Sequence, residues 1–465
     1  MERFHEELKN EFVKENISSS RTKPLYISQV SVENDSSDHP LSSSFLQNVL
    51  ENVVSNPIQN VDTALGSFID IKRNLLFTGL YNDVDVTLGA DKGGSLLNLS
   101  LKMVTDKIGI ESIVPTSATI RLKPNDLVTN LQTTFTTTSN DCSVNFHKLW
   151  PNFLGIADRE AIDFGAKYNL QSTSWIQKYF KGEFILPFTK VPSLRTVLSV
   201  DVSEDKVSHL QRLNCNYKAG IQKLWLKDDL NTFPVFYSGL SIVNNKPIFN
   251  GEIPIDVPSP EQTPSYQSGW LTTFSKDSTK WLGSFPNSGE CLNLKNEYVL
   301  SQLDSDNKPI NTNINRFEAN FEKYVSILNS RVITTVLMNG GFQFPIDEST
   351  RSTFVGESWD KRNSLIKDII LNKSDMNFKC GFISSFKLPN TELDSPLRLQ
   401  ISALTENKFK GLANYFDGCA ADTGVSLVYK TKDTNMALSY KVPLMQSSNS
   451  PATSGFSFDI AITYC

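Results

Sequence analysis

The stretch from Asp422 to Cys465 constrains this chain more than any other. It holds three runs of alternating residues separated by turn chemistry. In the first, Val425, Leu427 and Tyr429 share one face and Ser426 and Lys430 the other. In the second, Met436, Leu438, Tyr440, Val442 and Leu444 alternate with Asn435, Ala437, Ser439 and Lys441. In the third, Phe456, Phe458, Ile460, Ile462 and Tyr464 alternate with Ser457, Asp459, Ala461, Thr463 and Cys465. Strict alternation marks strands with one apolar and one polar face. Each run has the length of a tilted strand crossing a bilayer, about 9–11 residues. An aromatic-rich strand edge left bare invites aggregation unless the sheet closes on itself. A closed barrel whose outer face meets lipid meets both conditions. A soluble β-sandwich also has alternating strands, with the apolar face turned to a core. The direction of the apolar faces separates the two readings.

Composition narrows the remaining classes. The chain has 465 residues with 45 basic and 50 acidic side chains, a formal net charge of -5, and so makes no case for nucleic-acid binding. No apolar run reaches the roughly 18 residues of a transmembrane helix, which says little about a barrel, whose signal per strand is weak. The six cysteines, at 142, 215, 291, 380, 419 and 465, form no CxxC or Cys/His cluster. They read as free thiols, and no metal site or cofactor is expected. No Walker motif, Gly-x-Ser-x-Gly or HExxH is present, so no enzyme activity is expected.

Taken in order, residues 1–24 read as an N-terminal tail, with Phe4, Leu8 and Phe12 at the spacing of a short amphipathic helix. Residues 25–107 read as a small α+β unit. Leu25–Val32 is β-rich, and Phe45, Val49 and Val53 repeat at helical spacing behind a serine cluster able to cap them. A second helix starts near Val61, carries Phe68 and ends at Gly79. A hairpin then runs through Val84, Val86 and Leu88, turns at Gly93-Gly94, and returns through Leu97, Leu99, Leu101 and Met103. Residues 108–125, with Pro115 and Pro124, read as a linker. The stretch 126–465 is expected to be barrel. Its first strand, Leu127–Thr138, is thin in apolar residues and specifies its register weakly. Asn339-Gly340-Gly341 reads as a turn opening a long loop over residues 342–376.

Four segments carry a family resemblance. Leu76-Phe77-Thr78-Gly79-Leu80-Tyr81-Asn82-Asp83-Val84 resembles the helix-to-strand junction of a polypeptide-transport-associated (POTRA) domain. Lys148-Leu149-Trp150-Pro151-Asn152-Phe153-Leu154-Gly155-Ile156-Ala157-Asp158 resembles the Lys-Leu-Pro-Asn-x-x-Gly-x-Ala-Glu signature that follows the opening strands of one barrel family, with Trp150 inserted and Asp158 for glutamate. Gly424–Lys430 resembles that family's penultimate-hairpin strand. Thr453, Gly455, Phe458 and Ile460 fit the polar-x-Gly-x-x-hydrophobic-x-hydrophobic sorting signal of mitochondrial barrels. One POTRA-like unit ahead of a barrel resembles the central barrel subunit of the mitochondrial sorting and assembly machinery, with BamA as a wider relative.

The resemblance implies a mainly β fold: a 16-stranded antiparallel transmembrane barrel preceded by one small α+β POTRA domain. It places the chain in the mitochondrial outer membrane with its N-terminal domain in the intermembrane space. Its implied partners are β-barrel precursors, peripheral helper subunits and the lipid bilayer. It also implies an arginine on the loop before the twelfth strand. Arg351 is the better match, although Ser352 and Thr353 replace the family's Gly-aromatic pair, and Arg362 is a weaker one.

The chemistry open to such a chain is backbone hydrogen bonding. If first and last strands part, an incoming amphipathic strand can add to either edge, and the exchange keeps backbone groups satisfied in lipid. The expected gate comprises Val128, Asn130, Gln132 and Thr134 on the first strand and Phe458, Ile460 and Ile462 on the last. The competing readings are a passive outer-membrane channel, a diverged paralogue without full insertase activity, and a soluble β-rich binding protein.

Overall fold

The structure is a computed structural model. It describes residues 24–34, 40–90, 114–125, 131–137, 141–170, 172–207, 210–225, 234–249, 265–303, 308–309, 314–344, 376–409, 419–431, 433–445 and 455–464. These fall into two compact units. One joins the N-terminal sheet with segments Trp150–Glu160 and Ile185–Arg195, and the other holds the remainder of the barrel.

The N-terminal unit runs β1 (Pro24–Asn34), α1 (Ser43–Ser55), β2 (Ile58–Asn60), α2 (Val61–Phe77), β3 (Tyr81–Ala90) and β4 (Val114–Pro124). The expected serine cap is Ser42, whose hydroxyl accepts from the Phe45 amide at 3.3 Å. Asn60 caps α2 through the Thr63 amide at 2.7 Å. Phe45, Val49 and Val53 of α1 and Phe68, Ile71 and Leu75 of α2 are buried against Val84, Ile120 and Leu122 of the sheet. The helix spacing of the sequence is therefore the spacing of the core. Gly79 ends α2 with φ +75°, a conformation that side chains with a Cβ rarely adopt.

One expectation fails here. Residues 108–125 are not a linker, because β4 lies within them. The sheet order is β2-β1-β4-β3, with β4 parallel to β1 and antiparallel to β3. The prolines that suggested a linker sit at positions 115 and 124, near and at the strand ends, where a missing amide is tolerated. Between them Ala118, Ile120 and Leu122 alternate into the core. The expected return strand through Leu97–Met103 lies outside the described residues.

The barrel comprises β5 (Gln132–Thr137), β6 (Asp141–Pro151), β7 (Arg159–Asn169), β8 (Ser174–Phe188), β9 (Val191–Val207), β10 (Leu210–Leu224), β11 (Val235–Phe249), β12 (Tyr266–Asp277), β13 (Lys280–Leu282) and β14 (Phe285–Leu303). It continues with β15 (Asn315–Ile327), β16 (Val332–Phe344), β17 (Met376–Lys387), β18 (Leu397–Phe409), β19 (Cys419–Lys430), β20 (Thr434–Met445) and β21 (Gly455–Tyr464). β12 pairs directly with β14, and β13 is a short addition paired only to β14, so the closed antiparallel barrel has 16 strands. Asn339-Gly340-Gly341 is not a turn. These residues lie inside β16, paired to Asn320, Ala319 and Glu318 of β15. Ladder bonds on both sides outweigh the local turn preference of the two glycines.

Side-chain direction decides between the two β architectures. On β19 Val425, Leu427 and Tyr429 are exposed while Ser426 and Val428 are buried, and on β20 Leu438 and Tyr440 are exposed while Ser439 is buried. On β21 Phe456 is 78% exposed and Phe458 49%. A sandwich would bury these faces. A closed barrel that turns aromatic and aliphatic side chains outward has the surface of a membrane barrel. Among the described residues no helix is long and apolar enough to cross a membrane.

Candidate functional site at the barrel seam

The first and last barrel strands meet along β5 and β21. Their register runs Ile460↔Thr137, Ala461↔Thr136, Ile462↔Phe135, Thr463↔Thr134 and Tyr464↔Thr133. Among the described residues that is five facing pairs, against fifteen between β10 and β11. The cause is local. β5 reads Gln-Thr-Thr-Phe-Thr-Thr, so threonine occupies both faces and only Phe135, with Leu131 just ahead of the strand, marks the outside. A strand whose faces differ so little gains little from one register over another. β5 is also poorly held on its other side, where six pairs join it to β6.

The structure brings some expected gate residues together and separates others. Ile460 and Ile462 lie on the seam opposite Thr137 and Phe135. Thr134 faces Thr463, and Gln132 is paired to His147 of β6. Phe458 is paired to Leu438 of β20, and the position across the seam from it lies outside the described residues. Gly455 opens β21 opposite Lys441, and a Cβ added there would meet nothing within 4 Å. Val128, Asn130, Thr453 and Arg351, with Arg362, lie outside the described residues.

Three polar arrangements escaped the sequence reading. The first is luminal and follows directly from register. Gln267 faces Gln302 across β12–β14, and Glu297 faces Arg316 across β14–β15. The Gln302 amide donates to Gln267 Oε1 at 3.0 Å, and Gln267 Nε2 donates to Glu297 Oε1 at 3.0 Å. Arg316, 3% exposed, donates to Gln267 Oε1 at 3.1 Å and lies 3.6 Å from Glu297 Oε2. Nothing in the linear spacing marks these four. Parity within correctly placed strands is the signal that would have found them.

The second is the β13–β14 hairpin. Phe285 is buried with Ile333 and Val428. The Arg398 guanidinium lies 5.1 Å from the Phe285 ring centroid and donates to the Leu393 carbonyl at 2.7 Å. Lys430 sits 5.4 Å from the Trp281 ring centroid. Gly283, at φ +57°, lies so near residue 394 that a Cβ would stand 2.7 Å from the Asp394 carbonyl oxygen. Beside the hairpin a cavity of about 100 Å³ is lined by Ser385, Gln400, Ser426, Ser439 and Asp459 among others. The C-terminal side of the barrel is thus tied from within through β17–β20.

The third lies in β6–β8. His147 pairs with Asp163, and the Tyr179 hydroxyl donates to Asn145 at 3.0 Å. Gly165 leaves room for both rings and chains: a Cβ would fall 2.4 Å from Asn145 Oδ1 and 2.7 Å from Tyr179 Cε1.

These features define a class: a closed 16-stranded barrel with a polar first strand at its seam, and a small α+β sheet ahead of it in the chain. Solved structures share that fold. CdiB from Acinetobacter baumannii superposes with a TM-score of 0.61 at 11% identity, covering 96% of this chain and 74% of its own. BamA from Haemophilus ducreyi lacking POTRA domains 1-3 superposes with a TM-score of 0.61 at 12% identity, covering 95% and 85%. CdiB from Escherichia coli follows with a TM-score of 0.50 at 10% identity, covering 95% and 91%. No protein-family model and no curated protein matches the sequence. The chain therefore has the outer-membrane barrel fold of BamA and CdiB.

Proposed function

We propose that this chain is a membrane insertase of the mitochondrial outer membrane, acting in a sorting and assembly complex with peripheral helper subunits. It accepts β-barrel precursors by adding their strands at the β5–β21 seam. The observation that carries this reading is the seam itself, built on a threonine-rich strand and joined by five pairs among the described residues. Each ladder hydrogen bond contributes roughly 0.5–1.5 kcal/mol net, so opening five pairs costs far less than opening a fifteen-pair junction. An amphipathic strand from a precursor replaces what is lost, and no catalytic group is needed. The sorting-signal match at Thr453–Ile460 and the POTRA-like junction at Leu76–Val84 supply the mitochondrial part of the proposal.

The test is a lock on the seam. Phe135→Cys and Ile462→Cys in a chain stripped of its native cysteines place two thiols at facing positions, and facing Cα atoms lie about 4.5–5.5 Å apart, within disulfide range. Oxidation is expected to cross-link the seam and stop precursor assembly in proteoliposomes, and reduction to restore it. Full assembly through a locked seam would refute the gate. A locked chain that passes ions but never assembles precursors, reduced or not, would point to a passive channel.

A further inference from the structure

The turn between β6 and β7 is built more rigidly than a connection requires. Asn152, Gly155 and Ala157 all have left-handed backbones, at φ 56°, 79° and 62°. Asn152 is 4% exposed: its side-chain oxygen accepts from the Ala157 amide at 2.7 Å, and its amide nitrogen donates to the Pro40 carbonyl at 3.0 Å. Asp158, fully buried, accepts from the Leu154 amide at 3.0 and 3.1 Å. The Ser42 amide donates to the Gly155 carbonyl at 2.7 Å. These contacts fix a backbone whose tip turns its two largest apolar side chains outward. Phe153 is 72% exposed and Leu154 55%. A buried polar frame under an exposed apolar tip presents that tip for contact.

The tip adjoins further exposed apolar side chains. Trp150, at the end of β6, is exposed. β7 and β8 are antiparallel neighbours, so the β8–β9 turn leaves from the same end as the β6–β7 turn. There Phe188 and Val191 are exposed as well. Aromatic and aliphatic side chains at the end of a lipid-facing strand row sit at headgroup depth.

We infer that the Asn152–Asp158 turn is a membrane foot: Phe153 and Leu154, carried by the buried Asn152 and Asp158, insert into the lipid interface at the end of β6. The occupant is the bilayer, because Phe153 and Leu154 share their end of the strands with exposed Trp150, Phe188 and Val191, and apolar and aromatic side chains at the ends of membrane-barrel strands sit at the lipid interface. This inference rests on the membrane-barrel reading above.

The experiment uses the full chain in protein-free liposomes, with native cysteines replaced and a polarity-sensitive fluorophore on a single cysteine. Three chains carry it at Phe153→Cys, at Phe164→Cys on the outer face of β7, and at Arg73→Cys on the surface of α2. Spin-labelled lipids report depth. The position 153 label is expected to shift to the blue and lose intensity to spin labels near the headgroup more than to those near the chain ends. The position 164 label should be quenched, and the position 73 label should stay in water. Quenching at 164 without quenching at 153 overturns the foot alone. No quenching at 164 overturns the membrane-barrel reading itself. Protection of 153 only when soluble protein is added overturns the inference in favour of a protein partner. If the labelled chains fold poorly, a photoactivatable lipid with the unlabelled chain serves instead: cross-links in peptide 150–160 are expected, and their absence beside cross-links to β7 overturns the foot.

Discussion

At the scale of single residues, the barrel's most exacting site is Arg316. Its guanidinium is almost wholly buried, and its charge is answered by Glu297. Removing one partner of a buried ion pair costs about 3–5 kcal/mol, because the remaining charge keeps its desolvation. Glu297→Leu is therefore expected to lower the barrel's thermal midpoint in detergent strongly, and the double change with Arg316→Leu to recover much of the loss. Equal damage from the single and double variants would show the pair to be incidental. Tyr81 presents the opposite case. Its hydroxyl is buried in the N-terminal core with no hydrogen-bond partner among the described residues, and burial pushes its pKa up to about 12. Tyr81→Phe should leave stability unchanged or raise it by about 1 kcal/mol. The sign with pH follows from the raised value. The unfolded phenol ionises near 10, so stability is full below that pH and falls as pH rises toward 12. Asp83 acts at the acid end: a hydrogen bond from Lys123, aided by the charge of Lys72, holds its carboxyl below the usual range. Its small, solvent-screened contribution is present above the ordinary carboxylate pKa and lost as pH falls through the lowered one. Chemical denaturation curves of wild type and Tyr81→Phe at neutral pH and above pH 10 test the first claim, since the alkaline loss should shrink in the variant.

At the scale of elements, the proposed gate puts the weight on the composition of β5. Thr133 and Thr137 share parity with Phe135 and so belong to its outer edge. Thr133→Val and Thr137→Val keep shape while making that face uniformly apolar. At about 0.5–1 kcal/mol each, the pair should slow seam opening and precursor assembly roughly tenfold, with slower amide exchange in β5. Unchanged assembly with slowed exchange would separate seam stability from function. Gly455 separates fold from recognition. An added Cβ there meets nothing, so Gly455→Leu should leave the folded barrel's melting unchanged and yet slow its own membrane integration if the sorting signal is read. Normal integration would leave β21 an ordinary strand. How much of this was legible in the linear chain depended on whether the pattern was local. The faces of β19, β20 and β21 and the capped helices α1 and α2 could be read because each face repeats within a few residues. The Gln267–Glu297–Arg316 network could not, since its members meet only through register across three strands. β4 was missed because its prolines dominate a short alternation, and the Asn339–Gly341 stretch misled because pairing, not local preference, decides its shape. Of the expected gate, Ile460, Ile462 and Thr134 lie in the described seam ladder, whereas the position across the seam from Phe458 lies outside the described residues.

At the scale of the whole molecule, chain order and folding units do not coincide. The N-terminal sheet takes β4 from residues 114–124, and its compact unit also includes residues 150–160. This has a consequence for dissection. A fragment of residues 25–107 lacks β4, which lies between β1 and β3 and carries Ala118, Ile120 and Leu122 into the core. Without it β1 and β3 have no common partner, and the helices lose much of the apolar surface they cover. Fully burying one such aliphatic side chain contributes about 1.5–3 kcal/mol, so losing Ile120 and Leu122 removes an amount comparable with the whole stability of a small domain, about 5 kcal/mol at its low end. The fragment 25–107 is expected to show no cooperative thermal transition, while a fragment of residues 24–125 should show one. The longer fragment still lacks Ala157, which is 2% exposed in that core, and the bonds that Asn152 and Gly155 make to Pro40 and Ser42. It should therefore melt below the same sheet in the intact chain, as followed by amide exchange of β1 and β4. Supplying residues 148–160 as a constrained peptide should raise its midpoint, and Asn152→Ala in the peptide should remove that gain. A cooperative transition in 25–107, or indifference of 24–125 to the peptide, would mean that the N-terminal sheet is held together by elements other than these.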